Sequence, residues 1–179
     1  DGTSEDLFSL DISRFEKFHS ETKFITERVT ESLGNLYAMH WPYKQLETSR
    51  NQKILPYHEN LQKKGACFGQ VAGFERPMWY ALNEDKPKYE YSFGYQNWYE
   101  SAKHETIGTR KNVAFFELTP FAKFEIEGEE AFSSLQYLCS NNIKKIPGST
   151  TYTQMLNEQG GIEADLTVTC TTKNNFRIV

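Results

Sequence analysis

The stretch Tyr152–Val168, "YTQMLNEQGGIEADLTV", decides the fold of this 179-residue chain. Two runs of alternating polarity flank "NEQGG", and paired glycines after polar residues mark a reversal between strands. In the second run Ile162, Ala164, Leu166, Val168 and Cys170 form one apolar set. Glu163, Asp165, Thr167 and Thr169 fall on the other face, because successive strand side chains point to opposite sides. Asp165 is thereby placed off the core, and its plain reading is a solvated strand face. The partner strand decides more, because register follows loop length. A four-residue turn, Asn157–Gly160, sets Met155 against Ile162 in the core and Tyr152 opposite Asp165. A five-residue loop sets Leu156 against Ile162 and gives Tyr152's place to Thr153. Of these two, only the first brings a phenol and a carboxylate together.

Working outward, "GEEAFSSLQYLCSNN" puts Ala131, Phe132, Leu135, Leu138 and Cys139 on one helical stripe. Glu129 and Glu130 sit in its first turn, where the helix dipole favours acids. "VAFFELT" (113–119) and "AKFEIEG" (122–128) read as strands. "NWYESAKHETIGTRKN" reads as a helix capped by Asn97 and ending near Asn112. Phe176–Val179 begins one more strand, whose neighbours the sequence does not supply, so an unpaired apolar edge is expected. Both ends read as cut, and the chain as a piece of something larger. The order helix–strand–strand–helix–strand–strand predicts an α+β fold, a mostly antiparallel sheet with helices packed on one side.

A helical and irregular module precedes it. "SEDLFSLDISRFEKF" carries Leu7, Leu10, Ile12 and Phe15 in a weak helical pattern. "SETKFITERVTESLGNL" is stronger, with Ile25, Val29, Leu33 and Leu36 at helical steps and Gly34 able to end it. From Met39 to Pro87 the periodicity is lost, and Pro42, Pro56, Pro77 and Pro87 punctuate an aromatic-rich connection. Short strands are expected near Cys67–Val71 and Met78–Ala81.

Composition excludes several classes. A net charge of −4 without a Lys/Arg block gives no footprint for nucleic acid or anionic lipid. The apolar runs are too short to span a bilayer, and "DGTSEDLFSL" is acidic, unlike a signal peptide. Cys67, Cys139 and Cys170 lack framework spacing and point to reduced thiols in a cytosol, or in a mitochondrial matrix for a eukaryote. His19, His40, His58 and His104 show no ligand spacing, so no metal site is expected.

"YTQMLNEQGGIEADLTV", with "VAFFELTPFAKFEIEGEEAFSSLQYL" before it, resembles the start of the folate-binding aminomethyltransferase domain of the glycine-cleavage T-protein family. "GACFGQVAGFERPMWYA" and "SFGYQNWYESAKHET" resemble a subset in which that domain follows an FAD-dependent amine oxidoreductase and a small central domain, as in dimethylglycine and sarcosine dehydrogenases. "LDISRFEKF", "ITERVTESLGNLYAMHWP" and "LETSRN" look like the tail of the FAD domain and the entry to the central one. The resemblance divides the chain into an FAD-domain tail (1–40), a central linker (41–96) and a truncated folate-binding part (97–179).

The resemblance implies a role for the carboxylate. In the family the acid after the Gly-Gly turn faces the tetrahydrofolate pteridine and amine, and it carries over to Asp165 as a proton acceptor during carbon capture. The family's preceding tyrosine carries over to Tyr152 in the same pocket. Many members have two acids here; Ala164 replaces the first, and Glu163, out of step with that position, reads as a surface residue. The implied chemistry is flavin oxidation of an N-methyl group of a methylated glycine to an iminium, then its capture as methylene-tetrahydrofolate. FAD would sit in a preceding domain, since this chain has no G-x-G-x-x-G loop and is expected to bind no flavin and to oxidise no amine alone. The implied partners are folate, the amine, the FAD domain and the rest of the folate domain, with no nucleic acid or membrane. Two rivals carry the same strings: a non-catalytic relative of the pyruvate dehydrogenase phosphatase regulatory subunit, and a stand-alone aminomethyltransferase. Trp79 and Tyr80 admit a passage lining with Arg76 holding an anion or, preferred here, a staple of the linker onto the folate-binding part with Arg76 paired to a nearby acid; Trp41 and Trp98 are assigned to packing.

Overall fold

Between Glu117 and Leu118 the chain separates into two units in a computed structural model that describes residues 12–83 and 85–179. The helical pattern expected at Leu7 and Leu10 lies outside the described residues. In the first unit, 3-10 turns at Ile12–Arg14 and Lys17–Ser20 lead into α1 (Thr22–Asn35). Gly34 lies inside this helix rather than ending it. The expected apolar stripe is real but faces outward: Ile25, Val29, Leu33 and Leu36 are all exposed. What ties α1 to its unit is polar. The Arg28 guanidinium donates to the Thr48 and Ser49 carbonyls and to Gln70. Glu31 accepts the backbone N–H groups of Glu47 and Thr48.

Helix α2 (His58–Lys63) then precedes a hairpin of β1 (Ala66–Val71) and β2 (Phe74–Tyr80). Ala72 and Gly73 both have positive φ, the geometry that a two-residue hairpin turn demands. Both strands lie close to where sequence put them, although β2 starts four residues earlier than expected and runs through Pro77. Proline is tolerated because β1 and β2 form an isolated two-stranded sheet, with a register shift beside Pro77's partner Phe68. Helix α3 (Tyr99–Lys111) closes the unit. Its N-cap position is Trp98, not Asn97; the Asn97 amide instead ties the Lys88 carbonyl to the Glu90 N–H. Val113–Phe116 form no strand and are exposed, so the apolar run there pairs with nothing in this chain's sheets.

The second unit is a sheet of four antiparallel strands in the order β3–β6–β5–β4: β3 (Phe124–Glu127), β4 (Thr150–Leu156), β5 (Ile162–Thr172) and β6 (Asn175–Ile178). Helix α4 (Ala131–Leu138) packs on one face. Its Ala131 and Leu135, with Cys139, meet Ile143, Leu166, Val168, Cys170, Phe176 and Ile178 in a dry core. The expectation for the last strand is overturned. β6 lies between β3 and β5, and Phe176 is fully buried, so the edges are β3 and β4. The short β3, read as an isolated alternating run, is the neighbour that the sequence reading did not find.

Candidate functional site

The β4–β5 hairpin is built around one asparagine. Asn157 Oδ1 accepts the N–H groups of Gln159 (3.0 Å) and Gly161 (2.8 Å), and its amide donates to Glu163 at 2.8 Å. Gly160 has φ +80°, a conformation that favours glycine. A Cβ on Gly161 would come within 2.9 Å of the Asn157 amide. The two glycines thus serve different needs, one backbone twist and one close approach.

The loop holds five residues, Asn157–Gly161, with Leu156 paired to Ile162. Neither expected register continues from there. Met155 pairs with Ala164, so Glu163 is the extra residue of a β-bulge. Beyond it Gln154 faces Asp165, Thr153 faces Leu166 and Tyr152 faces Thr167. The bulge has two consequences. Ile162 is turned out of the core, at 68% exposure, against the simple alternation. Tyr152 returns to the face that carries Asp165, two residues away along the ladder, and its Oη donates to Asp165 Oδ2. A diagonal neighbour of this kind is within reach of a long aromatic side chain.

Both side chains are exposed on the polar face, opposite the core. The hydrogen bond to Asp165 lifts the Tyr152 phenol above the usual tyrosine range, and the carboxylate's charge acts in the same direction. The phenol therefore stays a proton donor across the neutral range. Among the described residues no donor reaches Asp165 Oδ1, so one carboxylate oxygen is held and the other is presented. An anchored carboxylate of this type can orient a ligand N–H or accept a proton from it. Ala164 sits on the opposite side, packed against the core.

The end of α4 fixes the height of β4. Ser140 N–H donates to the Gln154 carbonyl at 2.8 Å, Asn141 N–H to Thr153 Oγ1 at 3.1 Å, and the Asn141 amide to the Tyr152 carbonyl at 3.0 Å. Sequence reading missed Ser140, Asn141 and Gln154. Gln154 could have been found, since it shares Tyr152's parity on β4.

Elsewhere the first unit holds a cavity of about 980 Å³ lined by Tyr57, Leu61, Tyr80, Leu82 and Phe115, with no carboxylate among its walls. It is mostly apolar, with Asn60, Lys63 and Lys64 as its polar walls, and lacks the acid that the hairpin supplies. Trp79 is buried in the hairpin and meets Tyr89 in a T-shaped contact, so its partner lies within the expected linker 41–96. Trp41 stacks on Tyr91, and Trp98 meets Tyr89 edge-on. Among the described residues no cluster of three His, Cys, Asp or Glu side chains could hold a metal, and no helix is long and apolar enough to cross a membrane.

Comparison with known proteins places these features. The family model of the GCVT N-terminal domain matches residues 57–179, and that of the FAD dependent oxidoreductase central domain matches residues 2–54. The chain is 39% identical over 174 residues to the 4-methylaminobutanoate oxidase (formaldehyde-forming) of Paenarthrobacter nicotinovorans, covering 97% of this chain and 21% of that protein. It is 33% identical to the mitochondrial pyruvate dehydrogenase phosphatase regulatory subunit of Mus musculus, over 98% of this chain and 21% of that one. Mitochondrial sarcosine dehydrogenase of Mus musculus is 32% identical over 92% of this chain and 21% of its own length. The chain thus spans about a fifth of the length of these relatives. Among solved structures, the glycine cleavage system aminomethyltransferase T from Bartonella henselae matches with a TM-score of 0.56 at 26% identity, over 72% of this chain and 31% of that one. With the model matched across the β1–β2 hairpin, α3, α4 and the whole sheet, the chain belongs to the GCVT N-terminal domain family, joined here to a segment of an FAD dependent oxidoreductase central domain.

Proposed function

We propose that this chain contributes the folate-facing carboxylate of an FAD-dependent dehydrogenase acting on an N-methylated amino acid. Asp165 is the proton acceptor and Tyr152 its positioning partner. The observation that carries the reading is the Tyr152–Asp165 hydrogen bond on an open polar face, just beyond the Asn157 turn. The residues fit a reduced pterin. A pterin ring carries N–H donors and a flat face, and the site offers a free carboxylate oxygen beside an exposed phenol ring. Asp165 would hold the ligand's N–H groups and take up the proton released as a C–N bond forms, while Tyr152 keeps the carboxylate aimed. Bound tetrahydrofolate supplies the nucleophilic nitrogen that takes the one-carbon unit. FAD belongs to the part of the polypeptide outside this chain. Capture on the same polypeptide keeps the electrophilic carbon from water.

The test uses the full polypeptide. Asp165→Ala is expected to leave amine-dependent flavin bleaching in stopped flow unchanged. It should cut methylene-tetrahydrofolate yield on the order of a hundred-fold, the usual cost of losing a positioned acid or base, with free formaldehyde rising to match. Wild-type yields at limiting and saturating folate would reduce Asp165 to a solvated strand residue.

A second reading rests on the 33% identity to a phosphatase regulatory subunit. There the same face serves a non-catalytic scaffold. Absence of amine-dependent flavin reduction by the full polypeptide, together with retained folate binding, is the result that this reading expects.

A further inference from the structure

We infer that Gln154 is a positioning residue of this site, its side-chain amide holding the Tyr152 phenol against Asp165 while Ser140 sets the amide's orientation. The inference starts from the register. Tyr152 is paired with Thr167, so its ring must lean two residues toward the hairpin tip to reach Asp165. The residue across from Asp165 is Gln154, two positions along β4 on the same face. The phenol oxygen thus comes to rest between the carboxylate and this amide.

Chemistry then assigns the amide's two ends. Ser140 Oγ donates to Gln154 Oε1 at 3.4 Å, and Ser140 N–H donates to the Gln154 carbonyl at 2.8 Å. With Oε1 turned to the end of α4, Nε2 is the end left to face the phenol. A phenol donates one proton and can accept at its oxygen lone pairs. Tyr152 spends its proton on Asp165, which leaves its oxygen lone pairs for the Gln154 amide, and that amide draws the phenol's titration down against the upward push of the carboxylate. The chain Ser140–Gln154–Tyr152–Asp165 couples the end of α4 to the carboxylate. It explains why a strand position on the polar face carries a two-ended side chain. A shorter serine would not span the gap, and a glutamate would put a second carboxylate across from the first.

The structural part of this inference stands without any ligand, and only its functional consequence rests on the folate reading. The test is a pH titration of this chain carrying tyrosine labelled with ¹³C at Cζ, with the Tyr152 signal assigned by Tyr152→Phe. Gln154→Met, which keeps length and removes both polar ends, is expected to move the Tyr152 titration to higher pH; Ser140→Ala should move it in the same direction by less. An unchanged Tyr152 titration in Gln154→Met overturns the inference.

Turnover supplies the second arm. In the full polypeptide Gln154→Met should weaken apparent tetrahydrofolate affinity roughly fivefold, the effect of one ordinary hydrogen bond. Gln154→Met combined with Tyr152→Phe should be no worse than Tyr152→Phe alone, within about twofold, because both act through one phenol. Multiplicative losses would assign Gln154 its own contact with the ligand and overturn the positioning role. If the titration shifts as expected but Asp165→Ala leaves carbon capture intact, the positioning inference survives and the folate reading fails.

Discussion

Both units bury apolar side chains, but only the first buries a carboxylate among its most enclosed groups. The sheet unit closes on an apolar interior in which Leu135, Cys170 and Phe176 are fully buried. In the first unit the most buried large side chain is a carboxylate: Glu75 is 1% exposed. Arg50 grips it with Nε and Nη2, and Asn51 N–H donates to it at 2.8 Å. The same guanidinium ties down the carbonyls of Leu46 and Phe68. Meanwhile α1 turns its apolar stripe outward and its Arg28 and Glu31 inward. The sheet unit is held chiefly by area removed from water; the first adds to its own buried Leu55 and Trp79 a set of charge-assisted hydrogen bonds and ring stacking around a loop with Ser49 and Asn51 at positive φ. The lesson is that a helix with a good amphipathic pattern need not bury its apolar face in the unit that it belongs to.

The largest effects should come from removing each unit's own centre. Glu75→Ala leaves a guanidinium with its partner gone, and breaking a buried pair typically costs about 3–5 kcal/mol. Phe176→Ala opens a cavity in the sheet core at a similar cost of about 3–5 kcal/mol. All three tryptophans lie before Glu117, so fluorescence reads the first unit, and amide exchange on β5 reads the second. Glu75→Ala should move the fluorescence transition, and Phe176→Ala the β5 protection. A mild effect of Glu75→Ala, comparable to a surface change, would erase the contrast.

Acid should separate the units next. Burial by itself would raise the Glu75 carboxyl, but Arg50 and the Asn51 N–H outweigh it and hold the group below the usual glutamate range. Glu31 is lowered in the same way: the cost of burial is overcome by Thr48 and the backbone N–H groups of Glu47 and Thr48. A group whose folded value is depressed binds fewer protons folded than unfolded. Its contribution is therefore complete above the unfolded glutamate value of about 4.3 and is lost as pH falls through the folded one. Tryptophan-monitored stability should fall on acidification below about pH 4.3, and Glu75→Gln should flatten the slope. An equal slope in parent and variant would refute the assignment.

Thiol reactivity gives a smaller, shared signal. Burial pushes the Cys67 thiol up to about 11 despite the nearby Arg50 charge, and burial also raises Cys139. With Cys170 these three thiols are all buried. At pH 8 an aromatic disulfide reagent should label none of them quickly, since burial keeps the reagent from all three and Cys67, near 11, is thiolate to only about one part in a thousand. Fast labelling of one equivalent would mean that one of the two interiors is open.

These contrasts bear on what sequence can carry. Alternation revealed β5, its apolar face and the outward side chain of Asp165, because half-burial stamps a period of two on a strand. It could not reveal the bulge. One extra residue, Glu163, has no compositional mark, yet it reverses the face of everything on the tip side. "VAFF" looked like a strand because apolar residues are read as buried, and these are exposed here. β6 looked unpaired because its partner β3 is four residues long and lies some fifty positions upstream, a distance over which no local pattern speaks. The outward carboxylate was legible past the Gly-Gly turn, and Gln154's face follows from its parity with Tyr152; that Gln154 rather than Tyr152 or Thr153 lies directly across from Asp165 was not legible, since that depends on the bulge.

The smallest effect tests the bulge itself. Simple alternation puts Ile162 and Leu166 on one core face, and large-to-small changes at both would then be costly. With Glu163 bulged, Ile162 is 68% exposed while Leu166 is 8% exposed. Leu166→Ala removes buried methyl groups from beside Val168 and Cys170 and should cost about 2–5 kcal/mol. Ile162→Thr keeps a β-branched residue on an exposed strand end and should stay within about 0.5 kcal/mol. Both are read by chemical denaturation with β5 amide exchange. If Ile162→Thr costs more than about 1.5 kcal/mol, on the scale of a buried isoleucine truncation, Ile162 lies in the core. The ladder would then lack its bulge, and with the five-residue loop kept Tyr152 would fall on the face opposite Asp165, out of reach of its carboxylate.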